Sequence, residues 1–194
     1  DVLEFFTHIH PAVVVAIWLP VSVVFFVRAF RQRPPGTSPL YVLPAALIGL
    51  VVWTFAEYTL HRYVFHFKPQ ATWQERLSFL FHGIHHAQPQ VKSRLVMPPA
   101  VSIPLAALFY GLFYGVVGGL LRLPHWVAPL FASFILGYLI YDMTHYATHH
   151  VNVPGSYFKM VRRHHMRHHA KTPDKRFGVS SPLWDYVFGT EPER

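Results

Sequence analysis

Long apolar runs separated by polar stretches set the pattern of this chain, and four of the runs approach the ~20 helical residues that cross the hydrocarbon core of a bilayer. They cover residues 11–30, 40–60, 99–121 and 124–141. The first two are separated by Arg31-Gln32-Arg33-Pro34-Pro35-Gly36-Thr37-Ser38-Pro39, a run of helix breakers and turn formers that predicts a loop. The last two meet at Arg122-Leu123-Pro124, so closely that they predict a helical hairpin. Two polar segments remain, 61–98 and 142–194, both rich in His, Lys, Arg and aromatic residues. The expected architecture is therefore an all-α integral membrane protein: four transmembrane helices in two hairpins with a helical, His-rich cytoplasmic cap, residues 1–194 forming a single domain. A soluble all-α domain that buries the same runs is the weaker reading, because each run approaches the spanning length.

Charge sets the expected orientation. Of the 17 Lys and Arg residues, thirteen lie in the two His-rich segments and four (Arg28, Arg31, Arg33, Arg122) lie at the opposite ends of the runs. Short cytoplasmic loops carry the cationic excess, so both His-rich segments are expected on the cytoplasmic side. The net charge of +8 fits this membrane-flanking placement better than nucleic-acid binding, given 52% hydrophobic residues and 17 prolines. Asp1 opens the sequence without a charged region, short apolar stretch and cleavage site behind it, so no signal peptide is expected.

The chain contains no cysteine, which excludes disulfides, iron–sulfur ligation and thiolate zinc sites. A metal here must be held by nitrogen and oxygen, and nitrogen is abundant: of 15 histidines, twelve fall in four tight groups. These are His61 and His66; His82, His85 and His86; His145, His149 and His150; and His164, His165, His168 and His169. Each lies where an apolar run meets a polar segment or inside such a segment. Residues three and four apart share a helix face, so His82, His85 and His86 can point at one place, as can His165, His168 and His169. His145 and His149 share a face with Asp142. His61 and His66 are five apart, about 140° around an ideal α-helix, so both can serve one site only if the helix ends or bends between them. Glu57, one turn before His61, is a candidate to orient it. His8, His10 and His125 stand alone and are expected to be ordinary surface or core residues.

So many imidazoles exceed the needs of one ion and suit two. Imidazole alone does not choose among iron, zinc, copper and nickel; zinc would favour hydrolysis, whereas iron can reduce dioxygen. A bis-histidine haem protein would place single facing histidines within the spans, and a transporter would place polar groups near their middles, where these runs carry no His, Asp or Glu.

The motifs Glu57-Tyr-Thr-Leu-His61-Arg-Tyr-Val-Phe-His66, Phe81-His-Gly-Ile-His-His86, Arg94-Leu-Val-Met-Pro-Pro99, Tyr141-Asp-Met-Thr-His-Tyr146 and Phe177-Gly-Val-Ser-Ser-Pro-Leu-Trp-Asp-Tyr-Val-Phe-Gly-Thr190 resemble those of the fatty acid hydroxylase and sterol desaturase superfamily, most closely its fatty acid 2-hydroxylases. The resemblance implies a di-metal centre held by His61, His66, His82, His85, His86, His145, His149, His165, His168 and His169, with His150 and His164 as alternative ligands. It implies two metal ions, iron in function with zinc able to occupy the same nitrogens, and dioxygen as co-substrate. The implied reaction is hydroxylation of a fatty acyl lipid at C2, with desaturation or sterol or carotenoid hydroxylation as alternatives within the superfamily and a non-catalytic metal-binding membrane protein outside it. Relatives often carry a cytochrome b5 domain that is not seen here, so electrons are expected from a separate cytochrome b5-like or ferredoxin-like donor. The expected location is the endoplasmic reticulum in a eukaryote or the cytoplasmic membrane in a bacterium. For the acyl chain, Phe109, Tyr110, Phe113, Tyr114, Phe134 and Tyr138 are candidates to line a slot, with helix packing as their plainer role. Lys159, Arg162 and Arg163 are candidates to attract an anionic group.

Overall fold

The computed structural model describes residues 8–192, and among them the chain is helical without a strand. Helix α1 (Pro11–Arg31) opens on a proline, whose missing N–H costs nothing at a first turn, and closes on Arg28 and Arg31 beside its carboxyl end. At 21 residues it is about 31 Å long, enough to cross a bilayer core. The Pro-rich loop follows, with Gly36 in the left-handed region at φ 80°, and ends where the Ser38 hydroxyl accepts the Leu40 N–H. Helix α2 (Val42–Thr59) runs into a π-helical turn, Leu60–Phe65. Helix α3 (Thr72–Ser78), a second π turn (Phe79–Gly83) and the single turn α4 (Ile84–Ala87) form one continuous helical stretch.

Helix α5 (Pro99–Phe113) continues through a π segment, Tyr114–Leu120. The chain then reverses at Arg122, which takes φ 56°, and the Leu123 N–H bonds back to the Val117 carbonyl before helix α6 (Pro124–His150) begins. Two shorter helices complete the chain, α7 (Ser156–Ala170) and α8 (Leu183–Val187).

Four helical stretches are long and apolar enough to cross a membrane: Pro11–Arg31, Pro39–Phe65, Lys92–Leu120 and Pro124–His150. The chain is a multi-pass membrane protein. Two of these stretches run past the apolar boundaries read from the sequence, to Phe65 and to His150, and so carry His61, His145 and His149 on their last turns.

The residues form two compact units. One comprises Ala12–Trp53 and Met97–Leu139 and is built on close approach. A Cβ on Gly49 would stand 2.0 Å from the Ser133 hydroxyl and 2.4 Å from the Leu130 carbonyl oxygen, and one on Gly137 would stand 2.7 Å from the Trp53 side chain. Small residues at helix crossings supply packing where lipid removes any net hydrophobic drive. Two buried hydrogen bonds tie α1 into this unit: Trp18 Nε1 donates to Ser102 Oγ of α5 at 3.1 Å, and the Ser22 hydroxyl donates to the Ala132 carbonyl of α6 at 2.8 Å. The aromatics proposed to line a slot pack largely on one another, Phe109 and Phe113 against Phe134 and Tyr110 against Phe131. Phe109, Phe134 and Tyr138 also line a narrow apolar crevice with Trp53, Met97 and Ile135. The other unit comprises the described residues within 8–11, 54–96 and 140–192 and holds all four histidine groups.

Candidate metal centre

The π turn at the end of α2 resolves the five-residue spacing of His61 and His66. Its wider turn lets the His66 N–H bond to the His61 carbonyl at 3.1 Å, an i to i+5 closure, and brings both rings to one side, 4.9 Å apart. His82 and His86, four apart across the second π turn, join them, as does His168 of α7. The second group gathers His85, His145 and His149 with His165 and His169 of α7. Within each group of five, one nitrogen per ring lies within 4.8 Å of every other.

Here the structure departs from the sequence expectation. His82, His85 and His86 do not point at one place, nor do His165, His168 and His169. Each triplet is divided: the i,i+4 pair serves one group and the remaining histidine the other. The 100° step between neighbouring residues turns His85 away from His86 and His168 away from His169. The two groups lie side by side, with the rings of His86 and His169 stacked at 4.1 Å.

The nitrogen geometry answers whether metals fit. Nε2 of His82 is 3.0 Å from that of His61 and 2.9 Å from that of His86. Nε2 of His85 is 2.9 Å from those of His145 and His169, and Nε2 of His165 lies 2.9 and 3.1 Å from those of His149 and His169. A neutral imidazole nitrogen offers one site in the ring plane, a proton or a lone pair, so none of these three atoms can make good hydrogen bonds to two neighbours. Lone pairs converging on a shared cation remove the conflict. Nitrogens ~2.1 Å from an ion and at right angles around it stand ~3.0 Å apart, close to the separations found. Each group can hold one metal ion.

Protonation is disfavoured throughout. Burial, then the neighbouring imidazoles, holds His82, His85 and His165 far below the ordinary histidine range. Burial and then His168 lower His66 to about 4 and His86 to about 3. Burial and then His86 lower His169 as well, while His168 is lowered by burial against the opposing pull of its hydrogen bond to Lys175. Neutral rings with free lone pairs are the form that binds metal.

Behind the first group stands the carboxyl-terminal loop. His61 Nδ1 donates to the Phe177 carbonyl, and His168 Nδ1 donates to the Lys175 carbonyl at 2.7 Å. Each bond places the proton on Nδ1 and leaves Nε2 free to face the group. Between the two carbonyls, Arg176 takes φ 60°. The fully buried Asp185 holds the loop: its carboxylate accepts the N–H groups of Phe177 at 2.8 Å and Gly178 at 2.7 Å, the Thr190 hydroxyl at 2.7 Å, and His164 Nε2 at 3.1 Å. Burial raises this carboxyl, but the bonds from His164, Thr190 and Gly178 outweigh it and hold the group below the ordinary carboxylate range. Glu57 grips the next two residues, accepting the N–H groups of Val179 and Ser180 at 2.7 Å each and the Ser180 hydroxyl.

The sequence profile of the fatty acid hydroxylase family matches residues 46–190. A dihydroceramide fatty acyl 2-hydroxylase of Arabidopsis thaliana is 38% identical over 99% of this chain and 78% of its own length. The chain belongs to the fatty acid hydroxylase family. The ceramide very long chain fatty acid hydroxylase of Saccharomyces cerevisiae is 38% identical over 92% of this chain, and the human fatty acid 2-hydroxylase 41% over 76%, the matches spanning 44% and 40% of those proteins. A solved structure described as full-length Scs7p with only its hydroxylase domain visible superposes with a TM-score of 0.88 and 35% identity, over 100% of this chain and 70% of that one.

In this hydroxylase the ten histidines carried over from the resemblance are the ten that the two groups bring together. His150 and His164 fall in neither group. His164 bridges Asp185 and Glu191, its Nδ1 lying 3.0 Å from the Glu191 carboxylate, and His150 packs against Tyr146 and His149. The acceptor that orients His61 is the Phe177 carbonyl, while Glu57 acts one step further back by fixing the tail. The tail that carries Phe177 and Asp185 stood out in the sequence, but no role could be assigned to Asp185, Lys175 or Phe177, because two of them act through backbone oxygens that any residue type carries. The proximity of Asp185 to Trp184 in the family-like tail was the available signal, without the chemistry to interpret it.

Proposed function

We propose that this chain hydroxylates a fatty acyl chain at C2, giving a 2-hydroxy fatty acid or 2-hydroxyacyl lipid. The observation that carries the reading is the pair of adjacent five-imidazole groups, each with converging lone pairs. Relatives whose names specify 2-hydroxylation supply the position. Five nitrogens per group exceed the four of a closed structural zinc site, which supports iron as the working metal, with zinc able to bind the same atoms. His61, His66, His82, His86 and His168 would hold one ion, and His85, His145, His149, His165 and His169 the other. When bound, the two ions supply the activation of dioxygen and the removal of a hydrogen atom from carbon.

The remaining work falls to the protein. The buried histidines keep water and protons from the centre, and the π turn after α2, the stretch from α3 to α4, α6 and α7 hold their rings in place. One oxygen atom enters the C–H bond and the other leaves as water with two protons, so two electrons must arrive from a separate donor, cytochrome b5-like or ferredoxin-like. The excess of Lys and Arg in the His-rich segments supports a site on the cytoplasmic side of the endoplasmic reticulum or a bacterial cytoplasmic membrane, with residues 1–194 working as one hydroxylase domain.

The test is lipid mass spectrometry of host cells expressing the chain with a reductase system, beside a His85→Ala, His168→Ala variant that removes one ring from each group. Acyl chains gaining one oxygen at C2 only with the intact chain are expected. A new double bond, or oxygen placed elsewhere, would overturn the regiochemistry; unchanged lipids would overturn the catalytic reading.

A further inference from the structure

We infer that the two metal sites are inequivalent, and that Asp185 is a positioning residue for the one built on His61, His66, His82, His86 and His168. The inference rests on the reading that both groups hold metal. Two of the five rings in that group are fixed from behind by carbonyls of a single loop, His61 by Phe177 and His168 by Lys175. In the other group, Nδ1 of His85 and Nδ1 of His165 are buried and meet no protein hydrogen-bond partner among the described residues. The first group is thus tied to the tail, while these two rings of the second are held by packing.

Asp185 controls the tie because its two oxygens take the N–H groups on either side of the Phe177 carbonyl, those of Phe177 and Gly178. An amide in its place accepts at one oxygen and sets an NH2 against the other N–H. The loop also depends on Arg176, since only a left-handed residue there aims the carbonyls of Lys175 and Phe177 at two different rings. The Arg176 side chain has its own anchors, donating to Thr172 Oγ1 at 2.7 Å and pairing with Glu191 at 3.3 Å. Backbone and side-chain contributions at this position can therefore be separated.

The experiment loads the detergent-purified full chain with Zn²⁺ and follows its release to a chelator by a metal-sensing dye. Wild type is expected to take up two ions per chain and release them in two phases, one ion in each. His149→Ala, which damages the second group, keeps the slow phase. Asp185→Asn speeds the slow phase by roughly 10- to 100-fold, the usual effect of losing a group that orients a ligand, and leaves the fast phase alone. Arg176→Gly and Arg176→Val both lose the side chain, but only valine resists a positive φ, so only Arg176→Val collapses the slow phase. This pair decides the matter if Asp185→Asn does not fold. Equal acceleration of both phases, or identical behaviour of the two Arg176 variants, overturns the inference and leaves the two-metal reading intact; uptake of no metal overturns that reading itself.

Discussion

The unit built on Ala12–Trp53 and Met97–Leu139 is held together by missing side chains, and the histidine-bearing unit by polar ones. Gly49 and Gly137 leave room for Ser133 and Trp53, and the bonds of Trp18 and Ser22 add single polar ties between helices. In the histidine unit, Glu57 and Asp185 each collect several N–H and O–H donors, and the rings between them touch one another at hydrogen-bond distance. The contrast follows from the solvent each sequence must face. Lipid gives helices little reason to associate except shape, whereas a buried cluster of imidazoles must have every ring oriented or it carries unmet polar groups.

The largest loss is expected from filling a gap in the first unit. Gly49→Val forces its new carbon into the Leu130 carbonyl, a backbone atom that cannot rotate aside, and is expected to cost about 3 kcal/mol or more, read as a lowered unfolding midpoint in detergent. Gly111→Ala, where nothing lies within 4 Å of the added carbon, leaves the midpoint unchanged or raises it.

Acid attacks the second unit instead. An unfolded histidine takes a proton below about 6.5, whereas the folded metal-free protein protonates His66 only near about 4 and His86 near about 3. Between those values the unfolded chain binds more protons, so stability falls as pH drops from about 6.5 toward 4 and is flat above about 7.5. Metal occupies the same lone pairs, so the metal-loaded protein should hold its midpoint to lower pH, and the gap between the two curves measures the linkage.

A smaller loss is expected at the tail. Trp184→Phe keeps an aromatic ring but deletes the bond from Nε1 to the Thr54 hydroxyl, 3.0 Å long, at about 1 kcal/mol by denaturation midpoint.

How much of this was legible in the sequence follows the same division. The four spans showed because lipid demands unbroken apolar runs, and their ends were misplaced only where polar residues, His61 and His145 among them, continue the helix past the apolar boundary. The histidines that gather showed as residue types, but not their partition: spacing puts His82, His85 and His86 on one broad face, and only the fold decides which edge of that face meets which neighbour. The pairing of His61 with His66 required a π turn that no residue in Leu60–Phe65 announces. The tail could not be interpreted because its work is done by the backbone oxygens of Lys175 and Phe177, which Asp185 holds only indirectly, through the N–H groups of Phe177 and Gly178.

The division of both triplets has a mechanical consequence. The stretch carrying His82, His85 and His86 and helix α7 each lend histidines to both groups, so the two are yoked. A rotation of α7 that draws His165 and His169 inward on one side swings His168 outward on the other. A movement of either shared element therefore disturbs both groups together, whereas the end of α2, with His61 and His66, and α6, with His145 and His149, each serve one group alone.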